Sequence, residues 1–330
     1  MAYNESAEVE IGKWSHPGLT IFLSPHIMKA MRVTNKTISQ PTLIFSEVST
    51  NSAVYLGDAR QALANLPSQI CQTAVTSPPY WGLRDYALPG QIGSEEKIDE
   101  YVNNLVLVFR ELRRVLRDDG TFWLNLGDCY TSGGRTWRAP DKKNPARAMS
   151  YRPPTPEGLK PKDLVGVPWR VAIALQADGW YLRSEIIWHK PNPLPESVKD
   201  RPTNAHETIF LLSKNAKYFY DYEAIKERGV NGKRRNKRSV WTIQTEPISE
   251  AHFATFPTKL IEPCILAGSK EGDLVIDPFF GSGTTGLVAA LYGRNFIGIE
   301  LKPEYIEIAR KRLSEYGFNF NVIGSEQSRE

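Results

Sequence analysis

The chain is poor in cysteine. Cys71, Cys129 and Cys264 are odd in number and far apart, so they offer neither a disulfide framework nor a C-x-x-C metal knuckle. A reducing cytoplasm is the compartment expected from that usage. No apolar run approaches the ~18 residues that a membrane helix needs. The first residues, M-A-Y-N-E-S-A-E-V-E-I-G-K, lack the basic and apolar regions of a secretory signal. No internal repeat stands out. There is no extreme of composition either: 41% of residues are hydrophobic and 24% charged, ordinary globular usage. A length of 330 residues allows one large or two modest domains with a sizeable core.

What the chain does have is unevenly placed positive charge. The formal net charge is only +4, yet Thr131 to Arg170 carries nine Lys/Arg against three Asp/Glu. Lys226 to Arg238 carries seven against one, and the remainder is acidic on balance. Basic charge gathered into two segments suits a polyanion held along one face, although two solvated loops would look the same.

Residues 1–53 show no sustained period and read as an arm. From Val54 onward, strand and helix signals alternate. Strands are expected at Val54–Leu56, Gln72–Thr76, Thr121–Leu126, Tyr181–Trp188, Thr208–Ser213, Leu274–Asp277 and Asn295–Glu300. Tyr101, Leu105, Val108, Leu112 and Val115 recur at three and four, which predicts an amphipathic helix over Asp99–Leu116, stopped by Asp118-Asp119-Gly120. Further helices are expected at Pro168–Asp178, Thr258–Ala267, Thr284–Tyr292 and Pro303–Tyr316. Such alternation predicts an α/β fold with a mainly parallel sheet covered on both faces. The catalytic body is expected over 54–313, with a basic insertion at 131–167 and a tail at 314–330.

Two motifs can carry chemistry. In L-V-I-D-P-F-F-G-S-G-T-T-G (Leu274 to Gly286) a strand turns into a helix. Gly281 and Gly283 let backbone approach a ligand, and the helix start offers free N–H groups. Glu300 ends the next strand, where a carboxylate can accept hydrogen bonds from ribose hydroxyls. No Gly-Lys-Ser/Thr follows and G-x-G-x-x-G is not matched, which disfavours a P-loop and a dinucleotide site. The second motif is T-S-P-P-Y-W-G, Thr76 to Gly82. Two prolines fix two φ angles and remove two donors, so that carbonyls and the Ser77 hydroxyl face a hydrogen-bond-donating ligand beside the Tyr80 ring. Either motif alone is also readable as a plain structural turn.

Together they resemble the S-P-P-Y and D-P-F-x-G-S-G-T-T motifs of S-adenosylmethionine-dependent DNA methyltransferases that act on exocyclic amines. The order resembles the permuted beta class, in which target recognition lies between the two motifs. Y-L-G-D (Tyr55 to Asp58), I-I-W-H-K-P-N-P (Ile186 to Pro193), H-E-T-I-F-L-L-S-K (His206 to Lys214) and F-P-T-K-L (Phe256 to Leu260) are similar to other family segments. The resemblance covers Val54 to Leu313.

The resemblance implies an open, doubly wound, seven-stranded Rossmann-like methyltransferase sheet with one antiparallel strand, Tyr181 to Tyr222 supplying the antiparallel pair. It implies that Asp277, Phe279, Gly281, Gly283 and Thr284 surround the methionine part of S-adenosyl-L-methionine, with Phe256 and Lys259 nearby. Glu300 would bind the ribose and Asp58 the adenine end. Ser77, Pro78, Pro79 and Tyr80 would hold and activate a base flipped out of double-stranded DNA. A recognition region is expected at 223–250, with Lys233, Arg234, Arg235, Lys237 and Arg238 on DNA. Arg135, Arg138, Lys142 and Lys143 of the basic insertion would clamp the backbone. Ser in the first motif position favours cytosine N4 over adenine N6, and adenine remains the alternative. A protein or RNA amine methyltransferase and an inactive DNA-binding module also stay open. No metal is implied, and a cognate restriction endonuclease is a partner the sequence leaves undecided. His189 and His206 are read as structural histidines.

Overall fold

In the computed structural model, residues 52–83, 88, 90–132, 152–229, 232–246 and 256–324 are described. The strands are β1 (Ala53–Leu56), β2 (Cys71–Thr76), β3 (Leu116–Leu126), β4 (Tyr181–His189), β5 (His206–Ser213), β6 (Glu227–Arg228), β7 (Arg234–Arg235), β8 (Val240–Thr242), β9 (Leu274–Asp277), β10 (Asn295–Glu300) and β11 (Asn321–Gly324). The helices are α1 (Ala59–Asn65), α2 (Ile98–Val115), α3 (Val167–Ala177), α4 (Thr258–Gly268), α5 (Thr284–Leu291) and α6 (Pro303–Ser314).

One nine-stranded sheet runs in the order β11-β1-β10-β9-β2-β3-β5-β4-β8. Within it, β5 runs antiparallel to both of its neighbours, β3 and β4. The seven expected strands are its centre, and β11 and β8 extend its edges. β11 corrects the reading of 314–330 as a tail: Ala53–Leu56 pairs with Asn321–Gly324, so the sheet continues past the last helix. Its exposed, alternating pattern is too short to register as a strand by period alone. Within the expected recognition region 223–250, Val240–Thr242 pairs with Ile187–His189 and Trp241 is buried with Trp123 and Trp188, so these three residues are part of the sheet.

Period-two alternation builds two cores. Ala74, Phe122, Leu124 and Ile276 face one side and pack with α1, α2 and α3; Val75, Trp123 and Val275 face the other and pack with α4, α5 and α6. The first three helices therefore cover one face and the last three the other. Along α2 the residues expected to be apolar, Tyr101, Leu105, Val108, Leu112 and Val115, are all buried. The helix ends at Val115, and Asp118-Asp119-Gly120 does not separate it from β3 as expected. Leu116 already pairs with Cys71, while Thr121 pairs with Thr73, so the intervening residues bulge out of the strand. Gly120 permits this: a Cβ there would lie 2.9 Å from the Arg117 carbonyl.

For the site, the pairing of β2 with β9 matters most. Thr73 and Ala74 align with Val275 and Ile276, so the two motif loops leave adjacent strands at the same edge of the sheet. This is where an open α/β sheet places its ligands. Two motifs some two hundred residues apart in sequence meet there.

Candidate active site

The cofactor motif folds around two buried carboxylates. Asp277 ends β9, and its Oδ1 accepts hydrogen bonds from the Phe279 N–H (3.0 Å) and the Thr76 hydroxyl. Its Oδ2 accepts from the Thr285 hydroxyl at 2.7 Å. Thr76 immediately precedes Ser77, so Asp277 fastens the base loop to the cofactor loop. Burial pushes the Asp277 carboxyl up to about 6 despite those donors. Glu300, at the end of β10, accepts from the Gly281 N–H (2.8 Å) and from the Lys302 N–H (2.9 Å). Burial raises it to about 7.

The two glycines of the motif do different things. At Gly281 (φ 52°) a Cβ would meet nothing closer than the Phe279 carbonyl at 3.9 Å, so this stretch of backbone lies open. At Gly283 (φ 80°) a Cβ would fall 2.7 Å from that of Ala309, so this glycine lets α6 pack under the loop. Arg312 of α6 reaches the same loop and donates to the Ser282 carbonyl (2.7 Å), the Ser282 hydroxyl (2.9 Å) and the Thr284 hydroxyl (3.1 Å). Thr284 is buried with its hydroxyl turned to that arginine. Phe279 packs edge-on against Phe109 at 6.2 Å. Asp58 caps α1 by accepting from the Gln61 N–H at 3.0 Å. Phe256 is half-buried just before α4, and Lys259 is exposed on that helix's first turn.

The base loop is held from below. The Tyr101 hydroxyl donates to the Pro79 carbonyl (2.9 Å), and the Trp81 indole N–H donates to the Glu95 carbonyl (2.9 Å). The Tyr80 ring lies along the end of β3, and Gly127 makes room for it. A Cβ at 127 would come within 2.6 Å of Tyr80 Cε2. Ser77 Oγ donates to the Tyr80 hydroxyl (3.3 Å), which donates to Glu207 Oε2 (2.8 Å). Asn125 Nδ2 lies 2.9 Å from both Tyr80 OH and Glu207 Oε2, and 3.4 Å from Ser77 Oγ. Glu207 Oε1 is ion-paired with Lys190, whose ammonium sits 4.2 Å over the Trp188 ring. Burial, then the Glu207 charge, push the Tyr80 phenol well above its ordinary value.

The sequence reading missed Asn125, Gly127, Lys190 and Glu207. Glu207 stood inside a quoted family segment, one residue after the histidine that drew attention. His189 and His206 face each other across β4 and β5, and both are exposed; His189 Nδ1 lies 3.1 Å from the Thr242 hydroxyl. Of the basic residues expected on DNA, Arg135, Arg138, Lys142 and Lys143 lie outside the described residues. Lys233, Arg234 and Arg238 are exposed on or beside the β6–β7 hairpin. Arg235 is paired with Glu227 at 2.9 Å, and Lys237 stands 5.0 Å over the Trp241 ring. Among the described residues no cluster of metal-ligating side chains occurs, and no helix is long and apolar enough to cross a membrane.

An open, mainly parallel sheet with a glycine turn after β9 and a buried acid at the end of β10 is the architecture of an S-adenosylmethionine-dependent methyltransferase. The residues fit that cofactor: the backbone at Gly281 is open, and each Glu300 oxygen keeps a lone pair beyond its backbone N–H. The chain belongs to the DNA methylase family, whose model matches residues 71–311. It is 60% identical to the Type II methyltransferase M.Cfr9I of Citrobacter freundii, over 82% of this chain and 90% of that protein. It is 61% identical to the Type II methyltransferase M.SmaI of Serratia marcescens, over 79% and 90%. A Thermus thermophilus protein solved with S-adenosyl-L-methionine is 26% identical, with a TM-score of 0.58 over 82% of this chain and 99% of that one. PvuII DNA methyltransferase (cytosine-N4-specific) shares the fold, with a TM-score of 0.61 at 23% identity over 82% and 95%. The chain is a Type II DNA methyltransferase of the N6/N4 group.

Proposed function

We propose that the enzyme methylates the N4 amine of cytosine within a short duplex sequence, and that it protects that sequence from a cognate restriction endonuclease. The observation that carries the choice of cytosine is Ser77 in the first position of the S-P-P-Y motif, where adenine enzymes more often have Asp or Asn. The bound cofactor supplies a methyl group activated on a sulfonium. The chain does the rest. Asp277, Phe279, Gly281, Gly283 and Thr284 form the loop that holds the methionine part, with Phe256 and Lys259 beside it. In that loop Gly283 and Thr284 act by fixing the backbone over α6. Glu300 takes the ribose and Asp58 the adenine end.

The target amine is a weak nucleophile because its lone pair is delocalised into the ring. Ser77 Oγ and the Pro78 carbonyl accept its two hydrogens and draw the nitrogen toward tetrahedral geometry. Asn125 holds the acceptor in place by donating from Nδ2 to Ser77 Oγ, Tyr80 OH and Glu207 Oε2. Positioning then supplies much of the acceleration. The base reaches this loop only if flipped out of the duplex and stacked, with Tyr80 as the ring at hand. Exposed Lys233, Arg234 and Arg238, with Arg135, Arg138, Lys142 and Lys143, contact phosphates, and the β6–β7 hairpin reads sequence.

The test is sequencing of modified bases in DNA from cells expressing the chain. N4-methylcytosine at one short motif is expected. N6-methyladenine at a fixed motif, with cytosine untouched, overturns the choice of base.

A further inference from the structure

We propose that Glu207, ion-paired with Lys190, receives the proton that the target amine must lose, through Tyr80 and Ser77. The inference rests on the reading of Ser77 as the acceptor for the amine. As the N–C bond forms, the S–C bond breaks with its electron pair left on sulfur. The positive charge then sits on a nitrogen with one hydrogen too many. That hydrogen leaves as a proton before the neutral methylated base is complete.

The hydroxyls are ordered to carry it. Ser77 donates to Tyr80 at 3.3 Å and Tyr80 donates to Glu207 at 2.8 Å, and with Asn125 Nδ2 donating to Ser77 Oγ at 3.4 Å one serine lone pair is left for an amine. A proton passed to Ser77 Oγ releases the serine's own proton to Tyr80, whose proton moves to Glu207 Oε2. N–H, Ser O–H and Tyr O–H bonds break; Ser O–H, Tyr O–H and Glu O–H bonds form. Both hydroxyls are regenerated and the carboxylate becomes a carboxylic acid.

A carboxylate is an expensive way merely to hold a loop. The Glu207 and Lys190 side chains are only 18% and 17% exposed, and withdrawing two charges from water costs energy that a neutral pair of acceptors would not. Fold topology also points here. β5 is antiparallel, so its N-terminal end, with Glu207 as its second residue, lies at the edge where β2 and β3 end. Tyr80, kept protonated by burial and by Glu207, conducts the proton and does not act as a base. The ionisable groups around Glu207 are Lys190 following β4 and Tyr80 of the base loop, with Tyr101 of α2 behind Tyr80; Asn125 of β3 is neutral.

The experiment measures single-turnover methyl transfer to plasmid DNA for wild type, Glu207→Gln, Tyr80→Phe and the double variant. Cofactor affinity by calorimetry, DNA affinity by anisotropy and thermal midpoint are recorded alongside. Each single variant is expected to slow transfer about 100-fold, in the range of general acid–base catalysis, with both affinities unchanged; the midpoint of Glu207→Gln should fall, because Lys190 loses its partner. The double variant is expected to be no slower than either single one, because one chain is cut twice.

A folded Glu207→Gln that transfers at the wild-type rate overturns the relay. So do additive losses in the double variant, which would mark independent structural roles. If Glu207→Gln does not fold, Tyr80→Phe decides alone, and a wild-type rate there overturns the relay. Transfer to adenine by the wild type would remove the cytosine reading and leave this test intact, since the adenine amine sheds the same proton. Failure of the wild type to label any DNA would remove the reading of Ser77 and the relay with it.

Discussion

The cofactor side and the base side of the cleft are built on opposite plans. On the cofactor side, Asp277, Gly281 and Thr285 come from one stretch of nine residues, and backbone N–H groups of that stretch donate to the Asp277 and Glu300 carboxylates. On the base side, Ser77, Tyr80, Asn125, Lys190 and Glu207 come from four separate segments, tied by side chain to side chain. A contiguous loop is positioned by local geometry and tolerates little change in its own residues. A network of side chains depends on the whole sheet holding its register, and can be altered at one member without unfolding the rest. The two plans meet at Thr76 and Asp277.

The sharpest way to break the comparison is at that junction. Asp277→Ala is expected to lower cofactor affinity by more than 100-fold and to cost about 3–5 kcal/mol of stability, because three buried donors lose their acceptor. Calorimetry and denaturant unfolding would register both. Ser77→Ala is the counterpart on the base side: transfer should slow about 100- to 1,000-fold, as for loss of a group acting in the transition state, with cofactor affinity nearly intact. Equal effects of the two variants on cofactor binding would erase the distinction between the two plans.

The same division decided what could be read in advance. The α/β class and the amphipathic helix over 99–116 are carried by local period, and the two loops by contiguous motifs. The cofactor loop was legible because its parts are neighbours in sequence. Glu207 is not: it reaches Tyr80 only because β5 runs antiparallel, a tertiary fact with no local signal. Gly127 matters only because the Tyr80 ring crosses it. β8 and β11 are short edge strands fixed by their partners. Gly283 and Thr284 lie in the Gly-rich motif, yet both touch α6.

Glycine substitutions separate the two sides at a smaller scale. Gly127→Ala is expected to displace the Tyr80 ring and lower kcat/KM about 10-fold, the loss that a misplaced substrate-positioning group produces. Cofactor affinity should not change. Gly283→Ala faces Ala309 with a left-handed φ and is expected to cost about 1–3 kcal/mol in unfolding experiments. Gly281→Ala also has a left-handed φ but open space, so its stability loss should be smaller and its effect on cofactor affinity larger.

Acidity offers a gentler probe of the cofactor side. Burial raises Asp277 to about 6 and Glu300 to about 7 in the folded protein, above their ordinary values. The folded state therefore binds more protons than the unfolded state between the ordinary and the raised values. Stability of the cofactor-free enzyme should fall as pH rises from about 4 toward 7, through these two groups, and level off above. Cofactor affinity should move the other way, because a charged Glu300 accepts ribose hydroxyls better than a neutral one. Glu300→Gln should flatten its share of both dependences. A cofactor affinity that is constant between pH 6 and 8 would argue against Glu300 as the ribose acceptor.

The smallest effects are expected at the β6–β7 hairpin, where neighbouring arginines differ in what already holds them. Arg235 is tied to Glu227, whereas Arg238 is exposed and uses its backbone carbonyl, not its guanidinium, to accept from the Trp241 indole. A cation already paired with a carboxylate must break that pair to neutralise a phosphate, so it gains less from DNA. Each phosphate contact removed should lower the slope of log affinity against log salt by about 0.9. Arg238→Gln is therefore expected to flatten the slope by close to one contact, and Arg235→Gln by much less. If either arginine reads a base edge, its loss should also relax site preference, at about 1–3 kcal/mol of discrimination. Equal salt slopes for both variants and the wild type would place the hairpin away from the duplex. DNA contact would then fall to other basic residues of the chain.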